Sequence, residues 1–241
     1  MNQGDKVLLS SGGMDSFLLA HEPELRGAVH VFGNVGQKYL KKEMHAAHIV
    51  AEIANAKLVV VHGTNLAKYE HPSGIIPFRN AHLLLTAAQY GTELYMGVIA
   101  DEINSDKSVE FIEAMEYVLN ISHRAQYWTE GRQFRINTPY RAYNKTELIK
   151  AFVARGGSMG DLMRSVSCYS ATEHHCGECA SCFKRWVAIT NATGKDQQRH
   201  FDKHPALWKP MAHWKRALES YSPSRAEEIL SAFRLCEVPR V

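Results

Sequence analysis

Residues 10–16 read Ser-Ser-Gly-Gly-Met-Asp-Ser and follow directly on the apolar run Val7-Leu8-Leu9. Small residues placed between a strand-like run and the helix-like Phe17-Leu18-Leu19-Ala20 are suited to holding phosphate. Gly12 and Gly13 can take backbone angles closed to other residues and let an anion approach the main chain. The helix that follows offers unpaired N–H groups and the positive end of its dipole. With the hydroxyls of Ser10, Ser11 and Ser16 around them, and Met14 and Asp15 inside the loop, the segment reads as a phosphate cradle. It is not a Walker A loop, because no Gly-Lys-Ser/Thr follows the glycines.

A second chemical signature lies in the C-terminal half. Of 5 cysteines, Cys168, Cys176, Cys179 and Cys182 are spaced Cys-x7-Cys-x2-Cys-x2-Cys. Two residues between cysteines let both thiolates face one ion, and Gly177 relaxes the knuckle. Four thiolates make a closed tetrahedral zinc site with no open position for water, so its expected role is structural. An iron–sulfur cluster is the competing occupant. His174 and His175 lie within the loop but are not counted as ligands, because four cysteines fill the shell. Cys236 stands apart.

The elements that must position these residues come from the rest of the chain. Its 241 residues suffice for one large core, or one core with a small appendage. A hydrophobic content of 45% with 22% charged residues is that of a globular protein, and a formal charge of +3 is too small to imply direct nucleic-acid binding. No apolar run reaches membrane-spanning length and the first residues lack a signal-peptide core, so a cytoplasmic protein without membrane partners is expected. Strand-like runs at residues 7–9, 28–32, 57–62, 93–98 and 134–137 alternate with helical patterns at 38–54, 79–90, 109–127 and 145–154. This alternation predicts an α/β fold with a Rossmann-like parallel sheet and ligands at the carboxyl ends of its strands. Residues 1–157 are read as the nucleotide-binding domain and 158–192 as the four-cysteine segment, with a helix near 183–191. Residues 193–241 are read as a helical tail packed on the main domain, its last helix capped by Ser224 with Glu227 in a capping box.

The pattern Ser-Gly-Gly-x-Asp-Ser resembles the PP-loop of the ATP pyrophosphatase superfamily. With the cysteines placed, residues 6–189 resemble the QueC, or 7-cyano-7-deazaguanine synthase, family. Phe32-Gly33-Asn34-Val35-Gly36-Gln37-Lys38 with Glu43 is similar to the family's Tyr-Gly-Gln segment, and Ile76-Pro77-Phe78-Arg79-Asn80 to its Val-x-x-Arg-Asn. Gly97-Val98 with Asp101, Thr138-Pro139 with Lys145-Thr146-Glu147, and Ser167-Cys168-Tyr169 with Cys176-Gly177-Glu178-Cys179-Ala180-Ser181-Cys182 and Arg185 follow in the family's order. Where the family has Tyr-Pro-Asp-Cys-Arg, this chain has Asn104-Ser105-Asp106-Lys107-Ser108, which keeps the aspartate but neither the cysteine nor the arginine.

The resemblance implies the adenine nucleotide α-hydrolase (PP-loop) fold and ATP, Mg²⁺ and structural Zn²⁺ as cofactors. It implies adenylation of 7-carboxy-7-deazaguanine and conversion with ammonia to the amide and then the nitrile, releasing AMP and pyrophosphate. Residues 10–16 would bind ATP, with Asp15, Arg79 and Lys145 catalytic and Asp15 a possible magnesium ligand. Gln37, Arg79, Asn80, Asp101 and Asp106 would bind the deazapurine, and the assembly expected is a homo-oligomer, a dimer. The changes around Asp106 leave a protein amine as an alternative acceptor of the activated acid. A PP-loop sulfur transferase acting on tRNA is the second alternative.

Overall fold

The computed structural model describes residues 5–71, 75–100, 105–170, 172, 174–207 and 222–236. Five parallel strands lie in the order β3-β2-β1-β4-β5, with β1 Lys6–Leu9, β2 Val29–Asn34, β3 Leu58–His62, β4 Glu93–Tyr95 and β5 Arg135–Asn137. Every expected strand forms; the inner strands β1, β2 and β4 carry consecutive buried residues, whereas the edge strands β3 and β5 are only partly covered. On β1, Val7 and Leu8 are both 0% exposed and join different apolar clusters, one on each side of the sheet.

The helices are α1 Met14–Ala20, α2 Leu40–Ile53, α3 Arg79–Ala87, α4 Val109–Ser122, α5 Lys145–Ala154, α6 Met159–Met163, α7 Ala180–Thr193 and α8 Pro223–Leu235. One face of the sheet packs on Leu84 and Ala87 of α3 and on Ile112, Met115 and Leu119 of α4. The other packs on α1, α5 and α7, and this cluster continues through Cys168, Cys182 and Trp186 to Ile229 and Phe233 of α8. Strand order reverses between β1 and β4. The loops leaving their carboxyl ends diverge there and leave a crevice, the position where open α/β sheets bind ligands. Among the described residues no helix is long and apolar enough to cross a membrane.

Three expectations shift. α1 begins at Met14 rather than Phe17, so Asp15 and Ser16 belong to its first turn. α4 stops at Ser122 rather than 127, because residues 124–128 are all exposed and offer no side chain to the core; they form a small turn closed by a Gln126–Thr129 bridge. The cap of α8 is Ser222, whose hydroxyl accepts from the Arg225 N–H, and not Ser224. Pro223, lacking an N–H, fits the first helical turn and moves the start back. α6, capped by Ser158, was not anticipated.

His30 on β2 is 0% exposed and neither ring nitrogen has a partner among the described residues. Burial, and then His21, lower its pKa from 6.5 to about 4. The unfolded chain therefore binds a proton that the native one refuses at any pH between these values. The resulting stability is complete above pH 6.5 and is lost as pH falls toward 4, amounting to about 3 kcal/mol. Urea midpoints at pH 7.5 and 4.5 should converge in His30→Leu relative to the parent. An unchanged pH slope would contradict this assignment.

Candidate active site

β1 ends at Leu9 and the chain passes through residues 10–13 into α1. The loop is stapled to itself. Ser11 Oγ accepts from the Gly13 N–H at 3.3 Å, Ser16 Oγ donates to the Gly13 carbonyl at 3.0 Å, and the Ser11 and Ser16 hydroxyls lie 3.4 Å apart. Gly12 has φ +69°, and a Cβ there would lie 2.6 Å from Ala47 N and 2.7 Å from Ala46 Cβ and Glu43 O. Its lack of a side chain lets the loop lie directly on α2. Gly13, at φ −76° and ψ 168°, has an ordinary extended backbone, so of the two glycines only Gly12 takes angles closed to other residues. Gly12→Ala is expected to cost about 3 kcal/mol through backbone strain plus overpacking. Gly13→Ala should stay within about 1 kcal/mol of the parent, since a Cβ there would come close only to the Ser11 hydroxyl, at 3.1 Å, a side chain that can yield by a few tenths of an ångström where the backbone beside Gly12 cannot. Chemical denaturation of the two variants checks the contrast.

A cleft of about 340 Å³ opens over the carboxyl ends of β1 and β4, a size suited to a small ligand. It gathers Ser11, Gly13, Met14, Asp15 and Ser16 from the loop and α1, Arg79 and Asn80 from α3, Asp106 from the turn before α4, and Lys145 from α5. Lys145 Nζ sits 3.0 and 3.1 Å from the two Asp15 carboxylate oxygens. Its position follows from the start of α5, where Asn144 and Glu147 form a reciprocal capping box. Gly97 lets β4 approach, since a Cβ there would lie 3.0 Å from Asp15 Cβ. Asn80 Nδ2 donates to the Asp106 carbonyl at 3.4 Å. Arg79 opens α3 behind Phe78, which is held at φ +60° and is 82% exposed.

The floor carries an acid that was absent from the expected set. Glu43 of α2 is buried, 3.9 Å from Arg79 Nη2, and accepts from Gln37 Nε2 at 2.8 Å. Burial raises its pKa, while Arg79 and Gln37 pull in the opposite direction. Burial also opposes the charge on Arg79, but Glu43 and, after it, Tyr39 and Tyr169 prevail and raise its pKa. Gln37 lies behind Glu43, its Oε1 bonded to the Val35 N–H at 3.1 Å. Gln37 and Ser10 line a smaller slot of about 40 Å³ next to the cleft, and the buried Ser10 hydroxyl has no partner among the described residues. Asp101 lies outside the described residues. Lys107, Tyr169, Ser181 and Lys184 also line the cleft. Tyr169 and Ser181 stand inside the cysteine motif and Lys107 follows Asp106, so the sequence marked their segments, whereas nothing marked Lys184.

The sulfurs of Cys168, Cys176, Cys179 and Cys182 all lie within 4.8 Å of one another. The Cys168–Cys176 and Cys176–Cys182 separations are 3.6 and 3.9 Å. A zinc–sulfur bond of about 2.3 Å puts tetrahedral sulfurs about 3.8 Å apart, so the set fits one metal ion such as zinc. A multi-iron cluster holds its cysteines farther apart. N–H groups of Ser170, Glu178 and Cys182 point at Cys168, Cys176 and Cys179 sulfurs at 3.3, 3.3 and 3.4 Å. Gly177 has φ +74°, and a Cβ there would meet the Lys203 carbonyl at 1.8 Å, so the knuckle is closed over by the following strap. His175 is no ligand: its Nε2 accepts from the Ser167 N–H at 3.3 Å, and burial, then Arg185, lower its pKa to about 3.

Comparison with known proteins agrees with this geometry. The family model for queuosine biosynthesis protein QueC matches residues 56–193. A 7-cyano-7-deazaguanine synthase of Pseudomonas aeruginosa is 32% identical over 230 residues, covering 83% of this chain and 100% of that protein. One from a Nitratiruptor species is 28% identical over 222 residues, covering 79% and 96%. A 7-cyano-7-deazaguanine synthase 1, of Sulfurisphaera tokodaii, is 26% identical over 207 residues, covering 81% and 98%. With a family model matching more than half of its length and a relative above 30% identity that it covers from end to end, the chain belongs to the QueC family.

Proposed function

We propose that this protein is an ATP-dependent carbon–nitrogen ligase that makes 7-cyano-7-deazaguanine from 7-carboxy-7-deazaguanine and ammonia. Family membership supports the product. The observation that carries the mechanism is the cleft at the strand-order switch, where the phosphate loop, the Asp15–Lys145 pair and Arg79 meet around one space.

A carboxylate resists attack by nucleophiles because it is negative and oxide is a poor leaving group. Its oxygen attacks the α-phosphorus of ATP, the bond to pyrophosphate breaks, and a mixed anhydride with AMP forms. Ammonia adds to the carbonyl, AMP departs, and a proton is lost to give the amide. The amide oxygen then attacks a second ATP, and loss of AMP with the remaining nitrogen protons leaves the nitrile. Both activations discard pyrophosphate, so one cradle serves both. The Gly13 backbone with the Ser11 and Ser16 hydroxyls holds the leaving pyrophosphate. Lys145 and Arg79 offset the charge that develops as the bond breaks. Asn80 and Asp106 face the guanine-like edge, the carboxylate accepting from its N–H groups. Gln37 acts through Glu43, fixing the acid that holds Arg79. Magnesium, held by Asp15, would neutralise phosphate oxygens when bound. Zinc on the four cysteines supplies structure rather than chemistry.

Pyrophosphate exchange tests the first half-reaction. Label from pyrophosphate should enter ATP only when 7-carboxy-7-deazaguanine is present and ammonia is absent. Exchange without the acid, or none with it, would contradict the assignment.

A further inference from the structure

Arg185 of α7 is 0% exposed. Its guanidinium donates to Ser165 Oγ at 3.0 Å and to the carbonyls of Leu162 and Met163 at 3.4 and 3.2 Å, and Nε has no partner among the described residues. None of these partners is an acid. A fully buried cation is costly unless an anion lies near. Cys182 stands three residues earlier on the same helix, on the neighbouring position of its face. Four thiolates around a divalent ion leave two negative charges in excess, so the loaded centre, with the Asp15 carboxylate beyond it, supplies the counter-charge.

The atoms that Arg185 holds belong to the turn leaving α6, and that turn runs straight to the phosphate loop. The Val166 N–H donates to the Gly12 carbonyl at 2.8 Å, and Val166 and Ser167 line the cleft beside Gly13. On the other side of the cysteine loop, Tyr169 packs against Tyr39 with ring centres 5.2 Å apart and the rings tilted by 33°, and Lys42 of α2 donates to the His174 carbonyl at 2.6 Å. The loop that carries Cys168 is thus bonded both to the metal knuckle and to the cradle.

We propose that Arg185 is a positioning residue that ties occupancy of the four-cysteine centre to the shape of the phosphate loop, so that metal and nucleotide strengthen each other's binding. The coupling rests on the reading that the cleft takes ATP. Such coupling is reciprocal: if metal tightens nucleotide, nucleotide tightens metal by the same factor.

The test uses the full-length, zinc-loaded protein with α,β-methylene ATP and magnesium as the probe. Zinc affinity is measured by equilibrium competition with graded 4-(2-pyridylazo)resorcinol, with and without nucleotide, and nucleotide affinity by calorimetry. In the parent, saturating nucleotide should tighten zinc binding about tenfold. Ser165→Ala, which removes one hydroxyl, and Arg185→Lys, which keeps the charge but loses the fork, should retain full zinc content. In both, the tightening should fall below about twofold and nucleotide should bind the zinc-loaded protein correspondingly more weakly than it binds the parent. Nucleotide binding with unaltered zinc affinity in the parent would overturn the coupling while leaving the proposed function standing. Full tightening in Ser165→Ala would overturn the assigned route. A parent protein that binds no nucleotide would overturn both readings.

Discussion

Asp15→Asn is expected to lower turnover on the order of 10³-fold while the protein stays folded. The carboxylate stands in the first turn of α1, directly after the loop proposed to hold phosphate, and lies 3.0 Å from the Lys145 ammonium, which is itself buried. Asparagine keeps the shape of the first turn of α1 but supplies neither the charge that fixes Lys145 nor an anionic ligand for magnesium. Lys145 would then turn toward whatever acceptors remain, and both groups that should meet the phosphates would be misplaced together. Because the Asp15 side chain is 21% exposed, solvent compensates part of the lost pairing and the stability cost should stay near 1 kcal/mol. Since the two residues act as a unit, Lys145→Met should cost a similar factor, and the double variant little more than either single change. Single-turnover AMP formation at saturating ATP checks this. Independent, multiplying losses would show that the pair is only structural.

The second large effect is expected from Cys182→Ser. Cys182 is 0% exposed and shares an apolar cluster with Trp186, Ile189, Phe152 and Phe233, so loss of the metal disturbs the core under α5, α7 and α8 as well as a surface knuckle. Structural zinc contributes on the order of 10 kcal/mol of apparent binding free energy to sites of this kind, comparable with the whole stability of a domain. The variant should lose bound metal, and its thermal midpoint should fall by well over about 10 °C, a shift that corresponds to several kcal/mol. Cys236→Ser, distant from the cluster in sequence, serves as the control and should keep full metal content. Metal analysis and calorimetry on both variants decide it. A metal-free Cys182→Ser protein that melts with the parent would show that the centre carries none of the fold.

Much of this arrangement could be read from residue order. Each apolar run became a parallel strand, the inner ones because burial on both faces demands such runs and the edge strands β3 and β5 with only partial cover. The two-residue spacings bring Cys176, Cys179 and Cys182 together, and the loop of seven residues before them returns Cys168 so that all four sulfurs lie within 4.8 Å of one another. The family segment around Arg79 and Asn80 opens α3 at the cleft, and the Lys145 segment opens α5 there. What could not be read locally depends on contacts between distant segments. Asp15 and Lys145 are 130 residues apart, and nothing in the spacing of either says that they touch. Glu43 looks like a surface helix residue until α2 turns it under Arg79. Gly12 and Gly13 are indistinguishable in sequence, and only the approach of α2 separates their roles. Arg185 gave no sign of being buried, because its environment is made by the end of α6. Helix ends moved for a related reason: the starts of α1 and α8 were set by the glycine turn and by Pro223, local chemistry that apolar periodicity does not record.

The most direct test is the fate of ATP and of the acid in one vessel. Purified protein is incubated with ATP, magnesium and 7-carboxy-7-deazaguanine, with and without ammonium, and nucleotides and bases are resolved by mass. The account predicts AMP and pyrophosphate in equal amounts, with 7-cyano-7-deazaguanine accumulating only when ammonium is supplied. ADP and inorganic phosphate as products, or a deazaguanine adduct of protein in place of the nitrile, would contradict it.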